Sequence, residues 1–236
     1  MKFRNFLLSA LPAAELSRLF PVMQEVSLRA GETVHEAGEP VQGVYFPSSA
    51  VLSIVTLMRD GTSVETATVG HESAVGLLSG LTGVRSSHRI FTQIPGAAVR
   101  IPATALRAAA LGSPDLLDLL LCSAQASVAE AEQSAACNAL HDAPSRLARW
   151  LLLTQDRTGG GGFSLTQDYM AIMVGVQRTT ISAIASDLKA RGLIRYTRGH
   201  VEVLDRAGLE EAACECYDAM QQCYAQLGVK PASAAR

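Results

Sequence analysis

The stretch Leu165-Thr166-Gln167-Asp168-Tyr169-Met170-Ala171-Ile172-Met173-Val174-Gly175-Val176-Gln177-Arg178-Thr179-Thr180-Ile181-Ser182-Ala183-Ile184-Ala185-Ser186-Asp187-Leu188 decides the reading of this chain. Thr166 stands where a helix N-cap belongs, with a hydroxyl able to accept a backbone N–H bond. Val174-Gly175-Val176 then breaks that short helix, and Gly175 sits where a turn needs positive φ. A second helix follows from about Gln177 to Ala190. Its Ile181, Ile184 and Leu188 recur at three- and four-residue spacing and so share one face. The opposite face opens with Gln177, Arg178, Thr179, Thr180 and Ser182, residue types that reach base edges and phosphates in a major groove. The pattern predicts a helix-turn-helix.

The next residues predict its wing. Leu193-Ile194-Arg195-Tyr196-Thr197 alternates like a strand, Arg198-Gly199-His200 forms a tight turn, and Val201-Glu202-Val203-Leu204 alternates again. Arg195, Arg198 and His200 are placed for phosphate contacts. Charge agrees with this location. The formal net charge is −2, yet residues 142–208 carry nine Lys/Arg against six Asp/Glu. Residues 1–141 carry nine against twelve, and residues 209–236 two against four. A modest positive field is thus confined to the segment that would meet DNA.

Upstream, residues from about 5 to 20 read as one short helix carrying Leu7, Leu8, Leu11, Leu16 and Leu19. Between Val26 and Ile101 short β-rich runs alternate with turns at roughly ten-residue spacing, the signature of a β sandwich or roll. Asp60-Gly61 joins Val51–Met58 to Thr62–Val69 as a hairpin. From Pro114 to about Asn138 a long helix places Leu117, Leu121, Ala124, Val128, Ala131, Ala135 and Asn138 at alternating steps of four and three. That 3.5-residue period predicts a dimer seam, its small residues allowing close approach of two helices. Asp142 can cap the next helix, which carries Arg146, Leu147, Trp150 and Leu151. Gly159-Gly160-Gly161-Gly162 lacks the Lys-Ser/Thr of a phosphate loop and reads as a flexible linker. A last helix is expected from about Arg206 to Leu227.

No apolar run approaches a membrane span. The start Met1-Lys2-Phe3-Arg4 is basic, but the apolar run behind it is too short for a secretory signal, so a cytoplasmic location without membrane contact is expected. The five cysteines are Cys122, Cys137, Cys214, Cys216 and Cys223, an odd number without a disulfide framework. Cys137, His141, Cys214 and Cys216 carry ligand-type side chains. On a continuous helix, however, Cys214 and Cys216 would diverge by about 200°. The expectation is therefore no metal and no cofactor, with the cysteines dispensable for DNA binding. No paired carboxylates or nucleophile motif point to an enzyme.

A β roll, a long dimer-type helix and a winged helix-turn-helix together resemble the Crp/Fnr family of bacterial transcription regulators. Leu165-Thr166-Gln167 through Val174-Gly175-Val176-Gln177-Arg178-Thr179-Thr180-Ile181 to Leu193-Ile194 is the most specific part. One branch is also suggested by Val44-Tyr45-Phe46-Pro47, Cys137-Asn138-Ala139-Leu140-His141, Arg146-Leu147-Ala148-Arg149-Trp150-Leu151-Leu152 and Cys214-Glu215-Cys216-Tyr217. By that resemblance Arg178 matches the guanine-reading arginine. Thr179 replaces a usually acidic position and Ala183 a second arginine, so the preferred half-site should differ from that of cyclic-AMP-responsive members. In the effector pocket Val75 falls where those members place a ribose-binding acid, with Glu72 three residues before it. Arg85-Ser86 offers the pair that would hold a cyclic phosphate. No cysteine precedes Cys122, so the family's N-terminal iron–sulfur centre is not expected.

The sequence thus predicts an α+β chain in three parts. Residues 1–112 form a β-roll sensor domain, 113–140 a dimerisation helix and 141–236 a winged helix-turn-helix domain with a C-terminal helix. The resemblance implies a homodimer acting on a pseudo-palindromic double-stranded DNA site, contacting RNA polymerase if it activates. Its effector, if it has one, is an unidentified small molecule. A cyclic-nucleotide-binding signalling module and a metal- or thiol-responsive regulator remain the alternatives.

Overall fold

Two antiparallel sheets, formed by strands between residues 24 and 102, share one interior. A computed structural model of the chain describes residues 3–226 and residue 228. One sheet has the order β1 (Gln24–Leu28), β7 (Gly96–Pro102), β3 (Gly43–Pro47). The other has the order β2 (Thr33–His35), β6 (Arg89–Ile94), β4 (Val51–Leu57), β5 (Ser63–Val69). Leu28, Leu52, Val69, Ile90 and Ala98, drawn from both sheets, pack into one cluster with Val75. This is the β roll. The β4–β5 hairpin forms as its Asp60-Gly61 signal predicts: Asp60 Oδ1 accepts the Thr62 N–H at 2.9 Å.

The helix expected over residues 5–20 is in fact two, α1 (Phe6–Ala10) and α2 (Ala13–Leu19). Pro12 is the reason. Its ring disfavours the helical region for the residue before it, and Leu11 is extended at ψ 137°. Two further short helices, α3 (Leu77–Thr82) and α4 (Ala103–Leu111), complete the roll.

α5 (Pro114–Leu140) is the long helix. Ser113 caps it by accepting the Leu116 N–H, and Pro114 occupies the first turn, where a missing N–H costs nothing. It ends because Asp142 and Pro144 start α6 (Ala143–Thr158), Asp142 Oδ1 accepting the Ser145 N–H at 3.0 Å. Leu116, Leu120 and Ala124 of α5 enter the core of the roll with Leu7, Phe46 and Ile101. Ala124, expected at the dimer seam, is therefore buried against its own chain, and Leu117 packs at the edge of the same core. Leu121, Val128 and Ala135, seven residues apart, remain exposed on the outer side.

The C-terminal part is built around α6, whose residues from Leu147 to Arg157 are all buried. Against it pack α7 (Gln167–Val174), α8 (Arg178–Ala190) and a small sheet of order β8 (Gly162–Ser164), β10 (His200–Val203), β9 (Ile194–Thr197). The four glycines are not a slack linker. Gly159, Gly160 and Gly161 all have positive φ, and they turn the chain from the end of α6 straight into β8. The last helix also differs from expectation. α9 (Arg206–Ala212) and α10 (Cys216–Gln226) are separated by Ala213-Cys214-Glu215, Ala213 being extended at ψ 158°. The predicted end at Leu227 lies outside the described residues.

The two parts of the chain are in contact. Val51 and Ile94 of the roll belong to the same cluster as Trp150, Met170 and Leu188. The Phe91 ring stacks on that of Tyr169 at 5.6 Å.

Candidate nucleic-acid interface

Thr166 caps α7, its Oγ1 accepting the Tyr169 N–H at 3.3 Å. Gly175 ends the helix at φ 69° and ψ 39°, the left-handed conformation in which a side chain would be strained. α8 then leaves at an angle, with Gln177 as its N-cap residue. Ile181, Ile184 and Leu188 fix its inner face, each 8 % exposed or less. Gln177, Arg178, Thr179 and Thr180 are therefore held outward on a rigid element, all exposed. Arg178 lies 3.5 Å from Asp168, both side chains being about two-thirds exposed. Such a surface ion pair is worth little and is readily exchanged for a base or phosphate. Ser182 is different. Its hydroxyl donates to Gln167 Oε1 at 2.9 Å, so it ties α8 to α7.

The wing forms as a two-residue hairpin with Thr197 opposite His200. Arg198 and Gly199 both have positive φ, 49° and 78°, the geometry of a type I′ turn. Arg198 and His200 are exposed at the tip. Arg195 is already paired across the strands with Glu202 at 2.5 Å, so its charge is locally compensated.

The expected effector residues do not converge. A cavity of about 240 Å³ opens between the roll and α5, lined in part by Val75, Ser86, Ser87, His88, Ala124 and Ser127. Val75 and Ser86 belong to it. Glu72 does not: its Oε1 accepts from Arg157 Nε at 2.8 Å and from Gly70 N–H at 2.9 Å. Arg85 turns outward and donates to the Gly38 carbonyl at 2.9 Å. The cavity is thus lined by serines, apolar residues and His88, without the acid–arginine pair that a cyclic nucleotide's ribose and phosphate require.

What holds Glu72 is a buried ion cluster that sequence reading missed. The Arg157 guanidinium also donates to both Glu130 carboxylate oxygens, at 3.0 and 2.9 Å, to Thr68 Oγ1 and to Tyr224 Oη at 3.1 Å. Burial would push the Glu72 carboxyl up, but Arg157 and the Gly70 N–H outweigh it and hold it below the usual range. Glu65 on β5 is also fully buried, and burial raises its pKa to about 8. It sits neutral near pH 7, accepting from Ser53 Oγ and from Gln93 Nε2 at 2.9 Å. No periodicity marks these residues. The sequence signal was slight: Arg157 follows Thr154, Gln155 and Asp156 at the end of α6, a polar run that reads as an exposed helix end.

The cysteines also fall differently. Because α9 and α10 are broken at Cys214, the two thiols converge instead of diverging. The ligand atoms of Cys137, His141, Cys214 and Cys216 all lie within 4.8 Å of one another.

Comparison with known proteins locates two recognised domains. The cyclic nucleotide-binding domain family matches residues 25–111, and the Crp-like helix-turn-helix domain family matches residues 145–212. The global nitrogen regulator of Synechococcus elongatus is 23 % identical over 198 residues, covering 80 % of this chain and 89 % of that protein. The CRP-like cAMP-activated global transcriptional regulator of Mycobacterium tuberculosis is 28 % identical over 207 residues, covering 84 % and 92 %. The structure of FixK2 from Bradyrhizobium japonicum superimposes with a TM-score of 0.72 at 20 % identity, covering 82 % and 98 %. That likeness concerns the fold.

Proposed function

Since this chain belongs to the Crp/Fnr family of DNA-binding transcription regulators, we infer that it reads a pseudo-palindromic site as a homodimer, with α8 in the major groove. The exposed row Gln177, Arg178, Thr179 and Thr180, fixed by the buried face of α8, carries this reading. Arg178 has the reach and the planar fork for guanine O6 and N7. Gln177, Thr179 and Thr180 flank it toward neighbouring bases and phosphates. Thr166, Arg198 and His200 stand where the backbone passes, and Arg195 joins them if DNA draws it from Glu202. Ser182 supports α8 more than it contacts DNA.

The dimer seam is the exposed stripe Leu121, Val128 and Ala135, flanked by Ala131. Two such stripes side by side would set two α8 helices facing one side of the duplex, about 34 Å apart for successive major grooves. The cavity beside α5 is the effector site, for a small molecule that is not a cyclic nucleotide. Activation by cAMP is a property in the name of the mycobacterial relative, and the placement of Glu72 and Arg85 argues against transferring it. An activator of this type would also touch RNA polymerase. The work of such a regulator is regulatory and not catalytic, carried out in the cytoplasm. Among the described residues no helix is long and apolar enough to cross a membrane.

Footprinting of genomic fragments with purified protein tests the reading. Two protected half-sites one helical turn apart are expected, lost in Arg178→Ala. A footprint over a single half-site, or none above the level of random DNA, would overturn it.

A further inference from the structure

We propose that Cys137, His141, Cys214 and Cys216 form a closed tetrahedral site for one zinc-type divalent ion, which fastens the end of α5 to the turn between α9 and α10. The reading goes beyond DNA binding and does not depend on it. Cys137 sits in the last turn of α5 and His141 is its C-cap residue. The i, i+4 spacing places both on one helical face. Cys214 and Cys216 come from the break that ends α9 and the first residue of α10.

The dimensions suit a single ion. Cys137 Sγ and Cys214 Sγ are 3.5 Å apart, and Cys216 Sγ is 3.5 Å from His141 Nδ1. A tetrahedron with metal–sulfur bonds of about 2.3 Å has edges of about 3.8 Å. Three thiolates and one imidazole are a soft donor set, the chemistry of structural zinc. All four positions are filled by protein and the three cysteines are buried, so no position is left for a substrate.

The surroundings supply what such a centre needs. His141 Nε2 lies 3.1 Å from Glu215 Oε1, which fixes the tautomer that leaves Nδ1 free to ligate. Gln133 Nε2 donates to Cys216 Sγ at 3.0 Å. Charge gives the independent argument. Arg149 is completely buried and acts electrostatically on Cys137, yet among the described residues none of its three guanidinium nitrogens has a hydrogen-bond partner. It stacks on Trp150 at 4.6 Å. An unmatched buried cation is costly. A divalent ion bound by three thiolates and a neutral imidazole carries a net charge of −1, the counter-charge that Arg149 lacks. This reverses the expectation of a metal-free chain, which rested on a continuous C-terminal helix.

The test uses the full chain purified without chelator. Elemental analysis should find about one zinc per chain in the wild type and in Cys122→Ser, and little in Cys216→Ser or His141→Ala. Should those two variants misfold, wild-type protein stripped with chelator and titrated with Co²⁺ decides. One equivalent should give the visible bands of tetrahedral cobalt together with thiolate charge transfer. Glu215→Ala, an exposed change, should weaken zinc about tenfold. A folded chain that takes up neither zinc nor cobalt would overturn the site, as would a Cys137–Cys214 disulfide in protein kept anaerobic. An unchanged affinity in Glu215→Ala would remove His141 Nδ1 from the ligand set.

Discussion

Arg178 and Arg198 are two exposed arginines with different burdens. Arg178 is held by a helix and spends only a weak contact on Asp168. Its replacement by alanine should cost about 1–3 kcal/mol of binding, concentrated at one base pair per half-site. Competition between operator variants measures this, and an equal loss on every sequence would reassign the residue to a phosphate. Arg198 instead occupies a left-handed conformation, φ 49°, that suits asparagine or glycine better. A strained residue kept at a surface turn is a pointer to function. Arg198→Asn should raise stability by roughly 0.5–1 kcal/mol while weakening DNA binding without changing its sequence preference. Thermal melting and binding isotherms read the two effects separately. A variant gaining stability with undiminished affinity would show that the wing tip does not touch DNA.

At the scale of elements, α5 has one face in the core of the roll and one exposed face. Leu116, Leu120 and Ala124 belong to the core of the roll, whereas Leu121 and Val128 are each nearly half exposed. Val128→Glu would set two like charges against each other at the seam. Sedimentation should then show monomer, with operator affinity collapsing; an unchanged dimer would place the interface elsewhere. The heptad spacing located this helix, since period and caps are local. It could not separate the exposed face from the core face, because both repeat at steps of three and four. The same contrast runs through the chain. The Thr166 cap, the Gly175 turn and the wing were legible because each is written in adjacent residues. The break at Ala213-Cys214-Glu215 was missed because no glycine or proline marks it. That the candidate effector residues Glu72 and Arg85 lie apart was not legible, because their partners, Arg157 and Gly38, are distant in sequence.

At the scale of the whole molecule, buried charge makes stability depend on pH. The folded-state pKa of Glu65 is raised to about 8 from 4.5. Between those values the folded chain holds a proton that the unfolded chain has released, so stability falls as pH rises, by at most about 1.4 kcal/mol per unit. Glu65→Gln keeps acceptors for Ser53 and Gln93 without the ionisation. It should lie close to the wild type at pH 5 and exceed it in denaturant midpoint at pH 8. Equal slopes in the two proteins would mean that Glu65 is already ionised. The cavity beside α5 gives the second test at this scale. Cyclic AMP should produce no calorimetric signal at micromolar concentration, and binding abolished by Arg85→Ala would restore the phosphate site.

The Arg157 cluster also bears on how the chain is made. Its partners Thr68, Glu72, Glu130 and Tyr224 stand 89, 85, 27 and 67 positions away. During synthesis Glu72 and Glu130 emerge well before the cation that neutralises them, and Tyr224 emerges last. Contacts of such long span slow folding and link distant segments into one cooperative unit. Limited proteolysis should therefore not release a stable fragment beginning at residue 141, because Arg157 would lose three of its four partners. Heating should give one transition, with the roll and the helix-turn-helix part melting together.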